Sequence, residues 1–110
     1  MPFLRNAWYI AAWAEEVTDR PIGRRLLDEK VVLYRLVDGT VVALEDRCCH
    51  RALPLSMGRM VGDRLLCGYH GREYDQTGAC VNVPGQSTLP ADAKIKSYPV
   101  IERYRWIWVW

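Results

Sequence analysis

Short apolar runs separated by turn residues recur about every ten positions along this chain. They combine β-branched and aromatic residues, and this composition is typical of strands rather than helices. The predicted strands lie at Trp8–Trp13, Arg24–Leu27, Lys30–Val37, Thr40–Glu45, Arg64–Cys67, Glu73–Asp75, Ala79–Val83, Lys94–Tyr98 and Arg105–Trp110. Asp38-Gly39 between two of the runs predicts a hairpin, whereas helical spacing is confined to one turn at residues 14–17. Many short strands at this interval predict an all-β fold, an antiparallel β-sandwich or small barrel, in a single domain over residues 1–110.

The last predicted strand is apolar on both of its faces. Its tryptophans, Trp106, Trp108 and Trp110, point to one side, and Ile107 and Val109 point to the other. A strand of this kind is expected to be buried on both faces. Either it is the central strand of one core, or a neighbouring domain of a longer protein covers its second face.

The composition is ordinary for a soluble globular domain. The chain has 110 residues, half of them hydrophobic and a quarter charged, with a formal charge of +2. These proportions exclude a collagen-like, disordered or coiled-coil protein. Because no apolar run reaches the roughly 18 residues of a membrane-spanning helix and the net charge is small, we expect neither a membrane nor a nucleic acid partner.

The cysteine content favours a metal site over a disulfide framework. Two of the four cysteines, Cys48 and Cys49, are adjacent, and the chain has enough apolar residues to form a core without disulfides. The N-terminal apolar stretch is interrupted by tryptophan and tyrosine, unlike a signal peptide. Cysteine together with histidine therefore predicts a reducing, cytoplasmic setting and a bound metal.

The candidate ligands form two matched pairs. Cys48-x-His50 is followed, after sixteen residues, by Cys67-x-x-His70, and these are the chain's only histidines. Gly and Pro residues flank both pairs, as expected for tight loops whose backbone approaches an ion or a cluster. We expect two loops, at about residues 46–58 and 66–75, to direct the four side chains to one point. Each loop then contributes one sulfur and one nitrogen.

Two kinds of metal centre are compatible with these ligands. Tetrahedral zinc often takes two cysteines and two histidines, but zinc sites usually group like ligands together in the sequence. One cysteine and one histidine in each loop suit a two-iron cluster, in which one iron binds both cysteines and the other both histidines. The remaining cysteines, Cys49 and Cys80, are expected to be core or spectator thiols.

The paired motif resembles that of the Rieske [2Fe–2S] family. Cys48-x-His50-Arg51 and Cys67-x-x-His70-Gly71 carry the resemblance, and the sixteen-residue interval suits that family. Further stretches are similar to one branch, the N-terminal domain of Rieske non-haem iron oxygenases such as vanillate O-demethylase, dicamba monooxygenase and toluenesulfonate methyl-monooxygenase. These stretches are residues 3–9, 51–56, 83–86, 95–100 and 106–110.

The resemblance implies a Rieske-type fold with a cluster-binding subdomain of two loops. It implies that the cofactor is a [2Fe–2S] cluster. The implied ligands to its irons are Cys48, His50, Cys67 and His70. Candidates for contacts around the cluster are Arg51, Tyr69, Gly71 and Tyr74.

The implied function is one-electron transfer, as the electron-accepting domain of an oxygenase that acts on aromatic substrates. The implied donor is a flavin and iron–sulfur reductase or a ferredoxin. The acceptor is a mononuclear non-haem iron, bound by two histidines and a carboxylate in a C-terminal catalytic domain of a homotrimer. Because both histidines of this chain belong to the cluster motif, it lacks that iron site and is by itself an oxidoreductase component. A stand-alone Rieske-type ferredoxin is the alternative, and a structural zinc module is a further one.

Departures from the respiratory Rieske pattern imply a low reduction potential. Leu53 and Tyr69 stand where respiratory Rieske proteins have a disulfide, and Arg72 stands in place of a serine that hydrogen-bonds the cluster. Fewer donors to the sulfides predict a potential at the low end of the family's range of about −150 to +300 mV. Between Arg47 and Arg72 there are five arginines and one acid. This excess predicts a basic rim that steers an acidic donor, or else ordinary solvated loop charges.

Overall fold

A computed structural model of the chain describes residues 7–47, 54–67, 72–82 and 94–110. Within these ranges there are eleven strands and two short 3-10 turns, η1 at Ala14–Glu16 and η2 at Leu55–Met57. The strands are β1 (Tyr9–Trp13), β2 (Ile22–Leu26), β3 (Glu29–Arg35), β4 (Val41–Glu45), β5 (Arg59–Val61), β6 (Arg64–Leu66), β7 (Glu73–Tyr74), β8 (Cys80–Asn82), β9 (Ser97–Tyr98), β10 (Val100–Arg103) and β11 (Trp106–Val109).

The strands form three antiparallel sheets. Their orders are β1-β11-β10, β2-β3-β4-β9 and β5-β6-β7-β8, and every strand pair in the described residues is antiparallel. The expected all-β antiparallel fold is confirmed. The predicted helical turn at residues 14–17 is present as η1.

The four-stranded sheet β2-β3-β4-β9 is the central layer, with a core on each face. Four successive residues of β3, Val31 to Tyr34, are at most 1% exposed, because alternate side chains enter opposite cores. Val31 and Leu33 pack towards β1 and β11. Val32 and Tyr34 pack towards the β5–β8 sheet, and this second core contains the predicted ligand Cys67.

Two hairpin turns without glycine explain where the sequence prediction was wrong. Leu27 and Asp28 join β2 to β3, and Tyr104 and Arg105 join β10 to β11, all with φ between 50° and 66°. The Tyr104-Arg105 pair contains none of the Asn, Asp or Gly residues that usually occupy left-handed turn positions, so the sequence does not predict β10. In the Leu27-Asp28 pair the first position holds an apolar leucine, so the sequence extends β2 to Leu27. Strand β5 is also absent from the sequence prediction.

The predicted Asp38-Gly39 hairpin is confirmed, but its turn is longer than two residues. The amide of Gly39 donates to the carbonyl oxygen of Leu36 at 2.9 Å, and Leu36 donates to Thr40 at 2.8 Å. Gly39 adopts φ +92°, which a side chain would disfavour. Turns at Gly62-Asp63 and Thr77-Gly78 are also confirmed, whereas Pro84-Gly85 lies outside the described residues.

Strand β11 is central in its sheet but is buried on one face only. Ile107 and Val109 are 0% and 3% exposed, whereas the tryptophan side faces outward. The interpretation that β11 is buried on both faces within one core is therefore wrong for the described chain. The outer face bears an apolar recess of about 270 Å³, lined by Trp8, Ile101, Arg103, Tyr104 and Trp108. Among the described residues, no helix is both long and apolar enough to cross a membrane.

Candidate metal centre

One of the four predicted ligands, Cys67, lies in the described part of the chain. The other three, Cys48, His50 and His70, lie outside the described residues, as do Cys49 and the predicted neighbours Arg51, Tyr69 and Gly71. The structure does describe the segments on which both loops are mounted.

Cys67 lies at the base of the second loop. It follows β6 directly, and its amide donates to the carbonyl oxygen of Arg72 at 2.8 Å. This bond joins the two ends of a loop whose residues 68–71 include His70. Cys67 is 3% exposed and carries a free thiol. A free cysteine in this position is available as a thiolate ligand.

Asp46 and Ser56 join the two ends of the first loop. The amide of Ser56 donates to Oδ1 of Asp46, and its hydroxyl donates to Oδ2, both at 2.7 Å. Asp46 is 7% exposed and follows β4, while Ser56 lies in η2. The intervening residues include Cys48 and His50, so this first pair of ligands also starts from a closed base.

A glycine brings the two bases together. A Cβ at Gly58 would lie 2.0 Å from the carbonyl oxygen of Leu66, the residue before Cys67. Only glycine permits the backbone after η2 to approach β6 this closely. Leu55 of η2 is fully buried in the same core as Cys67. The end of the first loop and the start of the second are therefore in direct contact.

The side chains around Cys67 form a dry environment. Tyr74 is fully buried and shares the core with Cys67, Leu65 and Leu55. Of the predicted neighbours, Tyr74 is the one that the structure describes, and it is a core residue. Cys80 is 6% exposed in the same core, so its assignment as a core thiol is confirmed.

Tyr34 is a buried polar group in this core that the sequence did not single out. Among the described residues its hydroxyl has no hydrogen-bond partner. Burial, together with the negative charges of Asp75 and Asp63, raises the pKa of its phenol far above the ordinary value. The hydroxyl therefore stays protonated throughout the neutral range.

The arginine-rich segment does not form a uniformly basic rim in the described residues. Arg72 is 9% exposed, Arg47 pairs with Glu45 at 2.5 Å, and Arg64 approaches Glu73 at 3.9 Å. These pairings reduce the positive charge that the sequence alone suggests. Arg47 and Arg64 thus have carboxylate neighbours in the described residues, and the steering of an acidic donor stays a prediction.

The described residues fit an iron–sulfur cluster as far as they extend. A free thiol at the edge of an apolar core, next to two adjoining loop bases, is the environment that such a cluster needs. Outside these loops, the described residues contain no group of three or more His, Cys, Asp or Glu side chains able to bind a metal. The positions of Asp46, Ser56 and Gly58 carried no distinctive sequence signal, because Asp, Ser and Gly are common in turns.

Comparison with known proteins identifies the domain. The family model of the Rieske [2Fe-2S] domain matches residues 7–99. The iron–sulfur subunit of the toluene-4-sulfonate monooxygenase system of Comamonas testosteroni is 52% identical over 98% of this chain and 31% of its own length. The oxygenase component of dicamba O-demethylase from Stenotrophomonas maltophilia is 50% identical over 100% of this chain and 33% of its own length.

Solved structures agree with this result. The crystal structure of apo dicamba monooxygenase superimposes with a TM-score of 0.94 at 49% identity, covering 98% of this chain and 34% of that protein. The chain thus spans about a third of the length of the relatives that it matches. The match of the family model, the identities and the shared fold together show that the chain belongs to the Rieske [2Fe-2S] domain family.

Proposed function

We propose that this domain transfers single electrons through a [2Fe–2S] cluster bound by Cys48, His50, Cys67 and His70. The observation that carries the proposal is the free, buried thiol of Cys67 at the point where the bases of the two ligand loops meet. Family membership supports the identity of the cofactor. The sequence motif supports the other three ligands.

When bound, the cluster would supply a site that accepts and releases one electron. Two neutral imidazoles in place of two thiolates make the centre less negative, which favours reduction. The chain's own contribution is the environment. Leu55, Leu65 and Tyr74, each fully buried, exclude water from the side of Cys67, and the closed loop bases fix the points from which the two ligand loops start.

We further propose that the domain is the electron-accepting part of an oxygenase that acts on aromatic substrates. Its donor would be a flavin and iron–sulfur reductase or a ferredoxin, and its acceptor a mononuclear iron in a catalytic domain of a homotrimer in the cytoplasm. Two relatives about three times as long support this assignment, one named as the iron–sulfur subunit of a monooxygenase system and the other as the oxygenase component of a demethylase. The apolar recess beside β11, where Trp8, Ile101 and Tyr104 are exposed, also supports it, because contiguous exposed apolar surfaces usually mark an interface.

Anaerobic reconstitution with iron and sulfide tests the cluster. We expect a brown protein with two irons and two labile sulfides per chain. Cys67→Ser removes a predicted ligand and should abolish the brown colour. Cys80→Ser changes a buried thiol of the same core and serves as the matched control, which should keep the cluster.

A colourless protein that binds one zinc per chain would contradict the proposal. Full iron content in Cys67→Ser would contradict it as well, because it would show that Cys67 is not a ligand. An unfolded Cys67→Ser variant is recognised by circular dichroism. In that case His70→Ala, which changes a loop residue beyond β6, decides the question by the same iron and sulfide counts.

A further inference from the structure

The Asp46–Ser56 pair is more constrained than an ordinary loop contact. Asp46 is 7% exposed, and both of its carboxylate oxygens accept hydrogen bonds of 2.7 Å from one residue. Its own amide donates to the carbonyl oxygen of Lys30 in β3 at 2.9 Å. Backbone and side chain of Asp46 are thus both fixed, one to the central sheet and the other to η2.

A glycine in β2 covers the pair from the other side. A Cβ at Gly23 would lie 3.0 Å from Oδ2 of Asp46 and 3.0 Å from the hydroxyl oxygen of Ser56. Gly23 pairs with Val32 in the central sheet, so this part of β2 cannot move away independently. The absence of a side chain at residue 23 is therefore what leaves room for the two hydrogen bonds.

The pair lies at the point of the chain where it can control a ligand loop. Asp46 is two residues before Cys48, and Ser56 ends the same loop. Charged hydrogen bonds that are partly removed from water are stronger than neutral ones. A loop whose ends are already joined loses less conformational entropy when the metal binds, so binding is more favourable.

We propose that Asp46 is a positioning residue that holds the two ends of the first ligand loop together before any metal is bound. Asp46 acts through Ser56, and Gly23 keeps the space that the pair needs. The inference rests on the proposed function for the identity of the ligands. The contact between the two loop ends is expected in the metal-free protein as well, so it can be tested there.

Limited trypsin cleavage of the metal-free protein tests the loop directly. The bonds after Arg47 and Arg51 lie inside the loop, and mass spectrometry identifies cleavage at each of them. We expect Asp46→Ala to raise cleavage at these two bonds by more than tenfold, because both hydrogen bonds are lost. Ser56→Ala loses only the hydroxyl bond and should therefore raise cleavage by a smaller factor than Asp46→Ala.

Two further variants distinguish the effect of the Asp46–Ser56 hydrogen bonds from the effect of the negative charge of Asp46. Asp46→Asn retains an oxygen acceptor and an amide that can donate to the Ser56 hydroxyl, so we expect it to stay within about twofold of the wild type. Gly23→Ala leaves both residues of the pair in place but inserts a carbon against them. We expect it to raise cleavage at the same two bonds.

The control is Asp38→Ala. Asp38 accepts a hydrogen bond from the amide of Thr40 at 2.9 Å in the β3–β4 hairpin, so the variant removes an aspartate bond and a charge without touching the loop. We expect wild-type cleavage in this variant. Equal increases in Asp38→Ala and Asp46→Ala would overturn the proposal, and so would wild-type cleavage in Asp46→Ala.

The protein with its reconstituted iron–sulfur cluster gives a second readout. A loosened loop should broaden the electron paramagnetic resonance spectrum of the reduced protein in Asp46→Ala, and Asp46→Asn should restore the narrow spectrum. If Asp46→Ala does not fold, Ser56→Ala decides, with unchanged cleavage counting against the proposal. Failure of the wild type to bind iron would contradict the proposed function, whereas the cleavage pattern of the metal-free protein tests the closed loop independently.

Discussion

Gly58→Ala tests the contact that brings the two ligand loops together. The new Cβ would lie 2.0 Å from the carbonyl oxygen of Leu66, whereas ordinary contacts begin at 3.4 Å. The backbone segments would have to separate by about 1.4 Å. Arg59, the next residue, pairs with Leu66 in the β5–β6 hairpin, so the separation disturbs that pairing as well. Overpacking of this kind costs about 2–3 kcal/mol, a large part of the roughly 5–15 kcal/mol that stabilises a small domain.

Thermal unfolding followed by circular dichroism measures this loss, and iron content measures its effect on the site. A loss of about 2–3 kcal/mol corresponds to a melting temperature lower by roughly 10–20 °C. Gly62→Ala in the same hairpin is the control. Gly62 has φ +61° and open space around it, so alanine there adds only about 1 kcal/mol of backbone strain. A Gly58→Ala protein with wild-type stability and full iron content would refute the reasoning.

Two further predictions concern buried and paired polar groups. Tyr34→Phe removes a hydroxyl that has no partner among the described residues, so chemical denaturation should show a free energy of unfolding that is unchanged or about 1 kcal/mol higher. A loss of more than 1 kcal/mol would show that the hydroxyl is hydrogen-bonded. A hydrogen bond from Arg35 and its positive charge hold the pKa of Glu102 below its ordinary 4.5. The pair therefore stabilises the fold above that pH and loses its effect as the pH falls through the lowered pKa. Glu102→Gln should flatten this acid dependence by at most about 0.5 kcal/mol, since the pair is partly exposed, and an unchanged acid dependence would contradict the assignment.

The sequence predicts those parts of the fold whose residue types, within a few positions of one another, favour a strand or a turn. β-branched runs predicted β3 and β4, and glycine marked the turns at Gly39, Gly62 and Gly78. The turn at Tyr104-Arg105 adopts a left-handed conformation without the usual residues, so β10 could not be inferred. In this turn, tertiary packing overrides local preference.

In the candidate site, too, the sequence predicts one part and not another. The ligand motif is visible because metal chemistry restricts both residue type and spacing. The supporting contacts are not visible, because they join residues that are distant in the sequence. Asp46 and Ser56 meet across a loop, and Gly23 approaches them from another strand. Nothing in the sequence relates these three positions to one another.

The central claim is that two loops each supply one sulfur and one nitrogen to a single two-iron centre. Pulsed electron paramagnetic resonance of the dithionite-reduced protein, grown with ¹⁵N-labelled histidine, tests it most directly. We predict a signal from one unpaired electron per two irons, coupled to two labelled nitrogens. His50→Ala and His70→Ala should each lose at least one of these two couplings. A reduced cluster without coupling to histidine nitrogen, or a protein without iron, would contradict the account.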